Sequence, residues 1–203
     1  MDTISTTALL VAVISACIAA YTTRGNSARA GFELARTLFT NLTTGDAATA
    51  RSSLERYKRG TGSDDPDKVL DHYFTLLWQL EQIHAGRQSL IRQQRLNGTR
   101  AVVRYLDEMV NWHVIEWANR WLEIRTKLEA DRHEQIDDEH ALHVFCQLLE
   151  SIDAGHWRLH DLKAVVAEQK ARRVARERAE RERVQRQQGT TTPPPTRAGV
   201  RGA

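Results

Sequence analysis

The sequence predicts an all-α protein with an N-terminal transmembrane helix, then an antiparallel helical bundle and a long charged C-terminal helix. Three observations predict it. Residues 3–23 carry no charge. Beyond them, apolar residues recur at steps of three and four, with only four prolines in the chain. From residue 163 onward the sequence turns to Arg, Glu, Gln and Ala. The expected organisation is an anchor over residues 1–24, a cytoplasmic helical bundle over 25–162, a charged solvated helix over 163–188 and a disordered tail over 189–203.

The first element is weighed against the bilayer. Twenty-one helical residues rise about 31 Å, and the hydrocarbon core is about 30 Å thick. Ile4, Leu9, Leu10, Val11, Val13, Ile14 and Ile18 carry the apolar weight, together on the order of 2 to 4 kcal/mol toward insertion. Only the amino terminus precedes the run, with Asp2 beside it, so a cleaved secretory signal lacks its basic leader. Arg24, Arg29 and Arg36 follow the run, which sets the N-terminus outside and the body in the cytoplasm. Ala8, Ala12, Ala16 and Ala20 form a ridge of small residues at every fourth position, a spacing that suits a homodimer through the anchor.

The body reads as successive helices. Ser27 is a candidate cap, and Phe32, Ala35, Leu38, Phe39 and Leu42 follow at helical spacing in a helix that can continue the anchor. Thr43-Thr44-Gly45-Asp46 breaks it, and a short helix from Ala47 to Tyr57 aligns Ala50, Leu54 and Tyr57. Asp65-Pro66 opens the next helix, since Asp caps and Pro suits the first helical position. Its stripe is Val69, Leu70, Tyr73, Phe74, Leu77, Leu80 and Ile83, with Gly86 as a weak point and Asn97-Gly98 as its end. A further helix carries Val102, Leu106, Met109, His113, Trp117, Trp121, Ile124 and Leu128. Another runs from about Gln135 to Ile152 and is stopped by Gly155. Leu159, Leu162 and Val166 dock the last helix, where Glu168 with Arg172, Glu177 with Arg181 and Glu182 with Arg186 have the acid-first spacing of four.

The run Leu77-Trp78-Gln79-Leu80-Glu81-Gln82-Ile83-His84-Ala85-Gly86, the Trp-containing helix after it and Glu139-His140-Ala141-Leu142 resemble a family of uncharacterised bacterial membrane-anchored helical proteins. That resemblance implies a single N-terminal span and a helical body, and no activity.

No residue pattern for catalysis, cofactor binding or metal binding is found. His140 and His143 are three apart, and His156 and His160 four apart, which sets each pair on one helix face. Such pairs arise by chance among eight histidines, and no HExxH context accompanies them. Trp112, Trp117 and Trp121 are assigned to the core, and His113 to a hydrogen-bonded core position without a nucleophile beside it. Asp137-Asp138-Glu139 is read as a solvated helix start favoured by the macrodipole. Cys17 and Cys146 are the two cysteines, too few for a disulfide framework.

Charge is uneven. Residues 1–162 hold 18 basic and 22 acidic side chains, and residues 163–203 hold 11 and 4. The expected function is a protein-interaction or scaffold module with an unknown protein partner and no enzymatic activity or cofactor. The alternative is electrostatic binding of anionic lipid or nucleic acid through the basic C-terminal helix. The interspersed Glu residues weaken that alternative, and nucleic acid is not the expected partner.

Overall fold

The computed structural model describes the backbone of residues 2–61, 65–97 and 100–189 and the side chains of residues 12–61, 65–93 and 100–186. Among them are six helices and no strand: α1 (Asp2–Thr43), α2 (Gly45–Arg59), α3 (Pro66–Asn97), α4 (Arg100–Arg132), α5 (Glu139–Ile152) and α6 (Leu159–Gly189). The Gly98 cap expected after α3 and the tail from residue 190 lie outside the described residues.

The boundaries have local causes. Thr44 is extended and Gly45 takes a φ of +56°, which separates α1 from α2. Gly60 closes α2 in the left-handed conformation at φ +70°, where a side chain would be strained. Asp65 caps α3: its carboxylate accepts from the Asp67 amide at 3.1 Å, and its carbonyl accepts from the Val69 amide at 3.1 Å. α5 begins at Glu139, four residues later than the periodicity suggests. The Ile136 amide donates to Glu129 Oε1 at 3.0 Å and its carbonyl accepts from Arg125 at 3.0 Å. Those groups are held by α4, so they are not free for a helical ladder.

α3 is the central helix and packs against α1, α2, α4 and α5. It can do so because its apolar positions spread over adjacent sides: Val69, Tyr73, Leu76, Leu77, Leu80, Ile83 and Leu90 are all buried. A helix apolar on several sides must be covered on several sides. Each large side chain removed from water contributes about 1.5–3 kcal/mol, more than the helix-propensity differences among ordinary residues of under about 1 kcal/mol. Burial therefore decides this architecture.

Gly86 is a packing position in α3 and not a weak point. A β-carbon added there overlaps Leu38 of α1, and Leu38 is itself buried. Alanine would gain about 1 kcal/mol of helix propensity over glycine, while overpacking a core costs about 1–3 kcal/mol. The second effect wins, so Gly86→Ala is expected to lower the urea midpoint. Gly25, around which a β-carbon meets nothing within 4 Å, is the control: Gly25→Ala should be neutral or stabilising by up to about 1 kcal/mol. A Gly86→Ala protein as stable as the parent would show that Leu38 moves aside freely.

The transmembrane helix and the membrane localisation expected from the sequence are corrected here. Among the described residues, no helix is long and apolar enough to cross a membrane. The helix does not end at Arg24; it continues unbroken to Thr43, taking Arg24, Arg29, Glu33 and Arg36 with it. Among the described side chains of its uncharged segment, residues 12–23, only Val13, Ile14, Ile18 and Tyr21 are large and apolar, the rest being Ala, Ser, Thr and Cys. The side chains of residues 3–11, the earlier part of the expected span, lie outside the described residues. Without a span, the arginines after it no longer set an outside N-terminus and a cytoplasmic body.

Candidate interaction surfaces

The most polar part of the interior ties four elements together. Asp138, whose side chain is fully buried, accepts from Tyr73 Oη of α3, from Arg125 Nε of α4 at 3.3 Å and from Gln169 Nε2 of α6 at 2.8 Å. Trp121 Nε1 donates to Tyr73 Oη at 2.7 Å, and the Asp138 amide donates to Gln169 Oε1 at 3.3 Å. Burial and the neighbouring Asp138 hold the Tyr73 hydroxyl well above its usual range, so it stays a donor. Burial lowers the Arg125 pKa, but Asp138, Tyr73 and Glu129 outweigh it and the net shift is upward.

This corrects the reading of Asp138 as a solvated helix-start residue. It makes no side-chain cap, and its carboxylate turns inward because a buried guanidinium requires a counter-charge. The sequence held one signal for this: Arg125 follows Ile124 on a helix whose buried face includes Trp121, Ile124 and Leu128. The network has the arrangement of a structural clamp, since each of these groups is buried and bonded to another.

The two histidines of α5 reach different partners. His140 Nε2 lies 3.4 Å from Glu81 of α3, and His143 Nε2 lies 3.1 Å from Gln147. Among the described residues, no three His, Cys, Asp or Glu side chains are grouped so as to hold a metal ion. His156 is buried, with Nδ1 accepting from the Arg158 amide at 3.2 Å, while His160 is exposed. His113 meets Arg51 of α2 at 3.1 Å. A guanidinium only donates, so Nδ1 is the acceptor and the proton of the neutral ring is on Nε2. Burial, then Arg51, lowers the pKa of this ring. Cys146 is buried, and burial pushes its thiol up to about 12, which removes the thiolate needed for nucleophilic chemistry.

The tryptophans divide. Trp117 and Trp121 are core, as expected, but Trp112 is 63% exposed, contrary to its core assignment. Position 112 lies one residue before His113 and so falls off the buried stripe. Trp78, which lies off the apolar stripe of α3, is 58% exposed. With Phe74, Glu81, His140, His143 and Arg173 it lines an open groove of about 470 Å³ between α3, α5 and α6. Glu139 is paired with Arg173 at 3.2 Å there. The groove has an aromatic wall, and His140 lies beside Glu81 on its lining.

The larger exposed surfaces are on α1 and α6. Every described side chain of α1 from Ala12 through Asn26 is exposed, including Val13 at 55%, Ile14 at 50%, Ile18 at 60% and Tyr21 at 81%. Contact with the bundle begins near Ser27, and Gly31 then lies against Val102 and Leu90. α6 is held by Leu159, Leu162 and Gln169, and residues 173–186 are exposed throughout. Along it Arg172 pairs with Glu168, Arg181 with Glu177 at 3.7 Å and Arg186 with Glu182 at 3.7 Å, the spacing expected from the sequence.

No protein-family model, curated protein or solved structure matches this chain.

Proposed function

We propose that the chain is a protein-interaction module in which a helical bundle carries two helices reaching past it, one apolar and one charged. The observation that supports this is the exposure of Val13, Ile14, Ile18 and Tyr21 on an uncharged helix segment. Single exposed apolar residues are ordinary on any surface, but a contiguous patch of large ones marks an interaction site. The bundle supplies a rigid base, clamped at Asp138, from which both helices emerge. No chemistry is assigned to the base itself.

Electrostatic binding through α6 is the weaker reading. Its arginines at 172, 181 and 186 each lie against a glutamate of the same helix, which leaves fewer free charges for phosphates.

Site-specific photo-crosslinking in the full chain tests the proposal. Probes at Tyr21 and Arg178, on the two projecting segments, are expected to give discrete protein adducts, and a probe at exposed Thr126 on the bundle is not. Adduct patterns that do not differ among the three positions would remove the projecting helices from the account.

A further inference from the structure

Arg51 of α2 is a half-buried guanidinium that no carboxylate neutralises. Among the described residues its acceptors are the carbonyl of Thr43, the last residue of α1, and Nδ1 of His113 on α4, each at 3.1 Å, and its Nε has none. The first bond is of the kind that satisfies a helix C-terminus, whose unpaired carbonyls favour a cation. The second depends on the protonation state of a ring. One side chain thus joins α1, α2 and α4.

The carboxylates that could replace the ring are engaged elsewhere. Glu55, one turn after Arg51 on α2, and Glu116, three residues after His113 on α4, both pair with Arg120, and Glu55 also meets Arg59 at 3.5 Å. Asp46 of α2 and Arg36 of α1 are exposed. From α1 the His113 ring meets Phe39, 5.8 Å between centroids, and from its own helix Trp112 at 4.9 Å. The charged group facing His113 is therefore Arg51, and burial together with that charge lowers the pKa of the ring. Burial lowers the Arg51 pKa as well, but a guanidinium starts so far above neutrality that it keeps its proton.

Neutral imidazole and imidazolium act in opposite ways at this junction. When neutral, the ring accepts from Arg51 at Nδ1 and carries its proton on Nε2. A proton taken from solvent at Nδ1 occupies that lone pair, so the ring can only donate, and it leaves two cations in contact where burial already disfavours each of them. We propose that His113 is an acid-sensitive latch: its neutral ring holds Arg51 and so ties α1 and α2 to α4, and protonation at Nδ1 releases Arg51 and loosens that junction. α1 is the helix that carries the exposed apolar segment, so the latch acts on the seat of that segment and is independent of what the segment binds.

Linkage fixes the direction. In the open junction the ring regains its ordinary pKa of about 6.5 and takes up a proton more readily than in the closed one. The latch is complete above about pH 6.5 and is lost as the pH falls from there toward the depressed value, with a ceiling of about tenfold in the opening equilibrium per pH unit for one proton.

Amide hydrogen exchange of the full chain between about pH 7.5 and 5.5, corrected for intrinsic exchange, tests the latch. The opening equilibrium of α2 amides should rise by up to about tenfold per pH unit below about pH 6.5. His84 of α3 is also held below its ordinary range, by burial and then Arg87, so the decisive comparison is with His113→Gln, in which the contribution of His84 is unchanged. Glutamine keeps an acceptor oxygen for Arg51 and takes up no proton, and the α2 profile of that variant should be flatter than the parent's. NMR titration of the His113 ring gives a second reading: the ring should titrate below its ordinary range in the parent, and Arg51→Gln should move it upward. Equal pH dependence of α2 in the parent and His113→Gln, or a ring that titrates alike with and without Arg51, would each overturn the proposal. Should His113→Gln fail to fold, the ring titration in the parent and in Arg51→Gln decides it.

Discussion

Asp138→Ala is expected to lower the stability of this protein by about 3–5 kcal/mol, the range for removing one partner of a buried ion pair. The reason lies in what is left behind. Arg125, 7% exposed, keeps Glu129 at 2.9 Å but loses the carboxylate facing its Nε. Tyr73 Oη and Gln169 Nε2 lose their acceptor in the same step. With total stabilities of about 5–15 kcal/mol typical of single domains, urea unfolding followed by circular dichroism should show a large shift in midpoint. Asp138→Asn keeps the shape and one acceptor oxygen, and should fall between the two. Replacing both charges, as in Arg125→Met with Asp138→Leu, should recover much of the loss, since apolar replacement of a buried pair is often neutral. A loss below about 1 kcal/mol for Asp138→Ala would mean that the clamp is not structural.

Trp121→Ala carries the second large effect, about 3–5 kcal/mol for truncating a buried tryptophan. Trp121 is 1% exposed, and its ring lies 4.8 Å from Tyr73, 5.7 Å from Trp117 and 5.6 Å from Phe145 between centroids. Those rings belong to α3, α4 and α5, so the cavity would open where three helices meet. Trp121→Phe retains most of the packing and loses the bond to Tyr73 Oη, a difference of about 1 kcal/mol from the parent plus the smaller ring. The Trp121 bond ends on the hydroxyl that donates to Asp138, so the two positions share a partner. The double variant with Asp138→Ala should therefore depart from the sum of the single effects by about 0.5–3 kcal/mol. Strict additivity would separate the aromatic cluster from the polar clamp.

How much of the candidate surfaces could be read beforehand depends on the residue. The Glu–Arg pairs of α6 were legible because both partners sit on one helix, four residues apart. The solvated setting expected for Asp138 was wrong because its partners, Tyr73 and Gln169, are 65 and 31 residues away. Trp112 was assigned to the core together with Trp117 and Trp121, yet it is exposed. On a helix, adjacent residues point about 100° apart, and only the neighbouring helices determine which direction is covered. For Gly86, composition suggested a helix fault, whereas the approach of Leu38 makes it a contact.

The sequence by itself determined that the chain is helical and where most helices start and stop. Asp65-Pro66 and the three-and-four spacing act within a turn or two of the residues that carry them, and local chemistry of that kind survives in one dimension. Only the tertiary structure decided that α3 is the central helix, that Asp138 is a buried counter-charge and that the leading apolar run is the upper part of an unbroken 42-residue helix. Each of those depends on which distant groups displace water from a side chain, and no window of a few residues contains that information.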